Sequence, residues 1–287
     1  MPKVYIVILN WNGWQDTIAC LTSILMNDYL EYEIIVCDNA STDDSEIYLK
    51  EWISERQEYP IHYIQTGKNL GFAGGNNVGI HYSLDAGDME YVWLLNNDTI
   101  IEKDALSKLI EKIETDKTIG ICGSKLVYYD DHNKIQGLGG IYNRYFAFSR
   151  HILNIDEIEK MDYVIGASML VSKKFLMDVG LMCEDYFLYY EELDWAIRAK
   201  GKYSLGCASE SVVYHKEGAS IGSDKNITKK SDLADCFLVK NKLKITRKYF
   251  KYCLVTVYIG LVIGLFRRIL KGERKKAATI LKIILGR

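Results

Sequence analysis

Residues 191–198, Glu-Glu-Leu-Asp-Trp-Ala-Ile-Arg, hold the densest group of ionisable side chains whose spacing chemistry can use. In a helix Glu191 and Asp194 lie three apart and Asp194 and Arg198 four apart, so all three share a face. Glu192 points about 100° round from that face, where it can meet a substrate while Asp194 and Arg198 hold the helix. Crowded carboxylates raise one another's pKa, which suits a general base. A solvated helix start would also favour acids, but Tyr186, Phe187, Tyr189 and Tyr190 just before them argue against full exposure.

Four other polar clusters ask for a chemical reading. Asn96-Asn97-Asp98-Thr99 closes the apolar run 91–95. One carboxylate with amide neighbours is a thin ligand set. Mg²⁺ and Mn²⁺, however, take one or two carboxylates and let phosphate oxygens and waters complete the shell, so the cluster suits a nucleotide-diphosphate substrate. An Asx-turn would also account for it. Asp38, directly after Val36-Cys37, can accept the imide N–H of uracil or thymine, or cap the next helix. Gly67, Gly71, Gly74 and Gly75 crowd one short stretch, where backbone can approach a phosphate and donate N–H groups. This is neither a P-loop nor G-x-G-x-x-G, and a tight turn before a helix would use the same glycines. His215 follows a strand-like stretch and is either a metal ligand or a structural histidine.

These clusters need elements to bring them together. Residues 4–9 (VYIVIL), 33–37 (EIIVC), 61–64 and 91–95 (YVWLL) read as buried strands. Between them, residues 14–26, a segment carrying Ile47, Trp52 and Ile53, and residues 78–84 read as helices. Alternating strands and helices predict an α/β fold, a Rossmann-like, mainly parallel central sheet with flanking helices. Ligands bind such sheets outside the carboxyl ends of the strands. The polar clusters fall there: Asn10-Trp11-Asn12, Asp38-Asn39, Asn69 to Asn77 and Asn96-Asn97-Asp98, one after each strand. Residues 119–127, 163–171 and 203–207 read as further strands, with a polar insertion at 128–162.

Composition excludes several classes. Of 287 residues, 48% are hydrophobic and 26% charged, which rules out disorder as the main state. The seven cysteines are scattered without a C-x-x-C pair, which predicts reduced thiols, not a disulfide frame or zinc site. Met1-Pro2-Lys3 runs into the first strand with no secretory pattern. The net charge of −2 hides an asymmetry. Residues 240–287 carry 14 Lys or Arg and one acid, Glu273, for +13, leaving −15 on the rest. That tail includes fifteen uncharged residues, 252–266, short for a full membrane crossing, then a second amphipathic piece at 277–285. Apolar faces flanked by Lys and Arg predict a C-terminal helical basic tail lying on an anionic membrane surface. Nucleic acid is not the expected partner, because the tail is too apolar for a phosphate-binding arm. A catalytic domain at 1–228 and a membrane-associating segment at 229–287 are expected.

Taken together, Asn10-Trp11-Asn12, residues 36–43, residues 69–76, Asn96-Asn97-Asp98-Thr99 and residues 190–194 resemble a family 2 glycosyltransferase. The likeness is to the rhamnosyltransferase-like branch of bacterial cell-surface polysaccharide synthesis, over about residues 3–250. It implies a GT-A fold, a nucleotide-sugar donor, a divalent cation (Mn²⁺ or Mg²⁺) and inversion at the anomeric carbon. By position, Asp38 resembles the aspartate that reads the pyrimidine. Asn10, Asn12, Asn39, Asn69, Gly71, Gly74, Asn76, Asn96 and Asn97 resemble donor-binding positions. Asp98 matches the metal-binding aspartate of the D-x-D motif, with Asn96 standing where the family has the first acid. His215 resembles a late histidine that completes the metal shell. Glu192 is the first choice for the catalytic base, with Glu191 and Asp194 as alternatives. The Q-x-x-R-W motif of processive synthases is missing, which implies transfer of one sugar at a time. A dTDP-rhamnose donor is expected, with UDP-sugars open, and a saccharide or lipid-linked acceptor. The expected location is the cytoplasm, at the inner face of the plasma membrane. An NAD(P)-linked oxidoreductase and a non-catalytic sugar- or membrane-binding protein are the readings from other classes.

Overall fold

The computed structural model describes residues 1–216 and 232–286; the expected domain boundary at 228/229 lies outside them. The first half follows the predicted alternation: β1 (Val4–Asn10), α1 (Trp14–Leu25), β2 (Tyr32–Asp38), α2 (Ser45–Ser54), β3 (Ile61–Gln65), α3 (Gly71–Asp85) and β4 (Tyr91–Asn96). These strands are parallel in the order β3-β2-β1-β4, with Val4 level with both Tyr32 and Tyr91. The unbroken apolar run of β1 reflects its place between two strands and two helical layers. Alternate residues face opposite layers. Val4, Ile6 and Ile8 pack with α1, α2 and a later helix, α4 (Ala105–Thr115), while Tyr5 and Val7 pack with α3.

The second half is mixed. After β5 (Thr99–Ile101) and α4 (Ala105–Thr115) come β6 (Ile119–Tyr128), β7 (Asp131–Gly137), β8 (Gly140–Asn143), β9 (Phe148–His151), β10 (Ser168–Ser172), α5 (Lys173–Val179), α6 (Glu191–Ala199) and β11 (Ser204–His215). β10 runs antiparallel between β4 and β6, β11 is parallel to β6, and β5 pairs antiparallel with β11. The polar insertion is structured: β7 pairs with β6, and β8 and β9 form a hairpin.

The glycine-rich stretch differs from its expected form. Helix α3 starts at Gly71, seven residues before the expected 78, and takes in Gly74, Gly75 and Asn76. The cause is packing. A Cβ on Gly75 would lie 2.4 Å from Leu9 Cδ1, and one on Gly79 2.4 Å from Val7 Cγ1. Two glycines four apart thus let the helix lie directly on β1, so they serve contact between elements and not approach to a phosphate.

The C-terminal helices are α7 (Asp232–Tyr249), α8 (Leu254–Leu270) and α9 (Arg274–Ile284). They join the body through a third apolar cluster. Val239, Leu243, Val257, Leu261 and Ile280 pack there with Tyr186, Tyr190, Leu193 and Ala196. All seven cysteines are free.

Candidate active site

The carboxyl ends of β1 and β2 form one polar network around Asp38, which is fully buried. Its Oδ1 accepts from Asn10 Nδ2 at 2.7 Å and Ser41 Oγ at 2.5 Å; its Oδ2 accepts from Gln65 Nε2 at 2.7 Å and the Ser41 N–H at 3.2 Å. Both oxygens are engaged, so a direct contact with a pyrimidine imide requires Gln65 or Ser41 to release one. Asn10 also accepts from Thr17 Oγ1 at 2.7 Å. Asn12, at φ +52°, accepts the Thr42 N–H at 2.7 Å. Asn39 reaches the next turn, donating to Asn69 Oδ1 at 3.1 Å and to the Gly71 carbonyl at 3.2 Å while accepting from the Leu70 N–H. These residues converge as expected. Gly74 and Asn76 do not stand at the open edge. Asn76 is buried and donates to the Phe72 carbonyl within its own helix, and a Cβ on Gly74 would press on Leu70.

The turn after β4 carries the candidate metal ligands. Register delivers His215 there: β11 pairs with β5 so that His215 lies opposite Thr99. Its Nε2 stands 3.3 Å from Asp98 Oδ1. Its Nδ1 lies 2.8 Å from Gln136 Oε1 on β7. That amide oxygen can only accept, so Nδ1 donates to it, and Nε2 is the ring atom turned toward Asp98. Asp98 is buried, and its Oδ1 has no hydrogen-bond partner. Burial opposes its charge, but His215 and Lys216 outweigh that and hold the carboxyl below the usual range. Asn97 is committed elsewhere, donating to Thr17 Oγ1 at 2.9 Å. Among the described residues no cluster of three or more His, Cys, Asp or Glu gathers around a metal-sized space. The donor set is therefore one carboxylate and one imidazole, which fits a cation whose shell is completed by phosphate and water.

The third part is the start of α6. Tyr189 and Tyr190 both have positive φ, +70° and +78°, a strained pair that aims the next two residues inward. Glu191 is buried and Glu192 partly so; in each, Oε2 is enclosed without a hydrogen-bond partner. Burial pushes Glu192 up to about 7, and burial together with the Glu192 charge lifts Glu191 well above the carboxylate range. Asp194 is different. Fully buried, it accepts from Arg198 Nε at 2.8 Å, Lys248 Nζ at 2.7 Å and Tyr249 Oη at 2.8 Å. It is an anchor, as the i, i+4 spacing predicts, and with three donors on its carboxylate it is not the alternative base.

Several supporting residues have no visible signal in the sequence. Gln136 lies in the polar insertion, which has no periodicity to mark it. Lys248 and Asn241 belong to the stretch expected to face lipid. Asn241 Nδ2 donates to the Leu188 and Tyr189 carbonyls at 2.8 and 3.1 Å. The signal present is an amide among the apolar positions Val239 and Leu243.

Comparison with known proteins bears on the family and the fold. The family model described as glycosyl transferase family 2 matches residues 5–180. The chain is 30% identical over 203 residues to the low-salt glycan biosynthesis hexosyltransferase Agl10 of Haloferax volcanii, a match spanning 70% of this chain and 62% of that protein. It is 26% identical to the dTDP-rhamnosyl transferase RfbF of Shigella flexneri (68% of this chain, 62% of that protein). It is 28% identical to the rhamnosyltransferase WbbL of Escherichia coli K12 (68% and 76%). Among solved structures, the mannosyltransferase PcManGT of Pyrobaculum calidifontis, in complex with GDP-Man and Mn²⁺, superposes with a TM-score of 0.63 at 14% identity, covering 99% of this chain and 86% of that one. GalNAc-T7 with UDP, GalNAc and Mn²⁺ gives 0.68 at 16% identity, covering 88% and 49%. The fold is GT-A, and the chain belongs to glycosyl transferase family 2.

Proposed function

We propose that this chain is an inverting, non-processive glycosyltransferase that moves one sugar from a nucleotide-diphosphate donor to a saccharide or lipid-linked acceptor in polysaccharide synthesis. One observation carries the reading: an enclosed glutamate pair at the start of α6, with Glu192 raised to about 7. A base with pKa near the working pH is what deprotonation of a sugar hydroxyl requires. Glu192 takes that proton as the acceptor oxygen attacks the anomeric carbon. The bond to the diphosphate oxygen breaks and the electron pair leaves with it, inverting the centre. Glu191, also lifted by burial, stays protonated and spares Glu192 a neighbouring charge. The turns at 38–41 and 69–71 line the nucleoside, with Asp38 reading the base once Gln65 swings away. Asp98 and His215 would hold a divalent cation, which when bound would supply positive charge where the diphosphate departs. Asn96, half-buried at the end of β4, contributes a neutral oxygen where an acid is usual.

The donor we favour is dTDP-rhamnose, supported by the likeness to RfbF and WbbL; UDP-sugars are the alternative. The basic tail supports a place at the cytoplasmic face of an anionic membrane. Thermal stabilisation by UDP, dTDP, GDP and NAD⁺, each with and without Mn²⁺, tests the reading. A pyrimidine diphosphate at 100 times its Kd should add about 2.7 kcal/mol, and only with metal. If neither pyrimidine diphosphate stabilises the protein under any condition, the transferase reading falls.

A further inference from the structure

The β8–β9 hairpin, which no functional role has yet absorbed, carries exposed aromatic side chains at its tip: Tyr145 (55%), Phe146 (53%) and Phe148 (49%). Helix α8 and the turn before it carry an apolar stripe that none of the described residues covers. Tyr252, Val255, Ile259, Val262, Phe266 and Ile269 recur every three or four residues, and all are exposed, while Val257 and Leu261 on the other side face the core. The segment Lys251–Leu270 has a mean hydropathy of 1.9, yet only 17% of its apolar stretch is buried. The hairpin and the stripe are adjacent. Thr256 Oγ1 donates to the Tyr145 carbonyl, and Arg144 Nη1 lies 3.5 Å from the Tyr252 hydroxyl. A shallow apolar groove of about 610 Å³ runs along α8, lined by Leu254, Val255, Tyr258, Ile259, Val262 and Ile263.

Charge identifies the occupant. Arg144 on the hairpin, Lys251 and Arg267 near the two ends of α8, and Lys271, Arg274 and Lys275 just beyond it are exposed, and no acid occurs between Lys251 and Leu270. Arg268, the remaining base of α8, is paired with Asp235 and points inward. An apolar stripe rimmed by cations fits the headgroup zone of an anionic bilayer, with the helix lying flat. A protein partner of ordinary surface would leave those cations unmatched.

We infer that the β8–β9 hairpin tip and the outer stripe of α8 form one membrane-docking face that takes anionic lipid. The hairpin also connects this face to the catalytic loop. Ala147, next to the tip aromatics, accepts the Tyr190 hydroxyl at its carbonyl at 3.3 Å, and Glu191 and Glu192 follow Tyr190 directly. Tyr142 packs edge-on against Tyr190 and also meets Phe250, just before α8. Docking of this face would therefore set the catalytic loop on the lipid side of the molecule, which suits an acceptor saccharide carried on a membrane lipid. That last step rests on the transferase reading; the docking does not.

The test uses the full chain and sedimentation with vesicles of phosphatidylcholine alone or mixed with phosphatidylglycerol. The parent should bind the mixed vesicles at least tenfold more tightly, about the gain expected when several cations meet an anionic surface. Tyr145→Ser with Phe146→Ser should lose about tenfold of that affinity while keeping stabilisation by nucleotide diphosphate and Mn²⁺. As a second reading that keeps the fold, Phe146→Trp should show a blue-shifted emission component on mixed vesicles that the parent lacks. Parent-like binding by the double serine variant, or no spectral shift from the Phe146→Trp variant on mixed vesicles, overturns the inference. So does a parent that is dimeric in vesicle-free solution when the serine variant is monomeric, since a second copy would then be the occupant. Vesicle binding without nucleotide stabilisation in the parent would remove the transferase reading and leave the docking face standing.

Discussion

Glu192→Gln separates catalysis from stability, because the two should move in different directions. Raising a carboxyl from its ordinary 4.5 to about 7 means that its charged form costs the fold about 3 kcal/mol. A folded state that holds its proton more tightly than the unfolded chain loses stability as pH rises between those two values. With respect to this group the parent should therefore be most stable below about pH 4.5, and lose most of that stability by about pH 7. Glutamine keeps the shape and cannot charge, so the variant should show a flatter stability profile and melt at or above the parent above about pH 7. Activity should behave in the opposite way. The base works only when deprotonated, so kcat/KM for the parent should rise with pH through about 7. The variant should lose about 10²- to 10⁴-fold in kcat, the usual worth of a positioned base, with donor KM unchanged. Melting curves between about pH 5 and 8 and initial rates with the identified donor read both effects. A variant whose stability profile parallels the parent's, or whose donor KM rises in step with the loss of kcat, would refute the assignment of Glu192.

Gln136→Ala should weaken Mn²⁺ binding by about 10- to 100-fold, the usual cost of losing the group that orients a ligating histidine; calorimetric titration of Mn²⁺ with nucleotide diphosphate checks this, while the melting temperature without ligand should hold. Asp194→Asn leaves Arg198 and Lys248 without their counter-charge in a buried setting. It should cost about 2–4 kcal/mol, set at the lower side of a fully buried pair because Lys248 is 42% exposed; urea unfolding gives the number. Gly75→Ala sets a methyl 2.4 Å from Leu9 Cδ1 and should destabilise by about 1–3 kcal/mol, whereas Gly87→Ala, with nothing near its Cβ but a φ of +86°, should cost only about 1 kcal/mol; thermal denaturation distinguishes them.

What the chain reveals before it folds depends on whether the physics is local. The four parallel strands are legible because burial on both faces leaves an unbroken apolar run, and the polar groups after them because such sheets bind ligands at those ends. The i, i+4 relation of Asp194 and Arg198 is legible for the same reason. Gly75 and Gly79 are not, since a glycine that frees a loop and one that lets a helix touch a strand look alike until the strand is in place. Asp38 is legible as a carboxylate at a strand end, but its saturation by Asn10, Ser41 and Gln65 needs three separate turns to meet. Gln136 is invisible because its partner, His215, lies 79 residues away.

The C-terminal helices show why a charge count misleads at the level of single residues. The +13 tail reads as an appendage for a polyanion, yet its α7 faces inward. Lys248 and Tyr249 hold Asp194, Lys244 Nζ donates to the Asp185 carbonyl at 2.5 Å, and Asn241 takes the Leu188 and Tyr189 carbonyls. These bonds fall on the loop whose two left-handed tyrosines aim Glu191 and Glu192 inward. Strain of that kind costs about 1–3 kcal/mol per residue and persists only where neighbours over-determine it. Helix α7 is the neighbour that does so. Helix α7 thus packs as part of the body that holds the proposed base, and within the tail the docking face inferred above begins around α8. A boundary drawn where the charge changes would cut through the support of the proposed base.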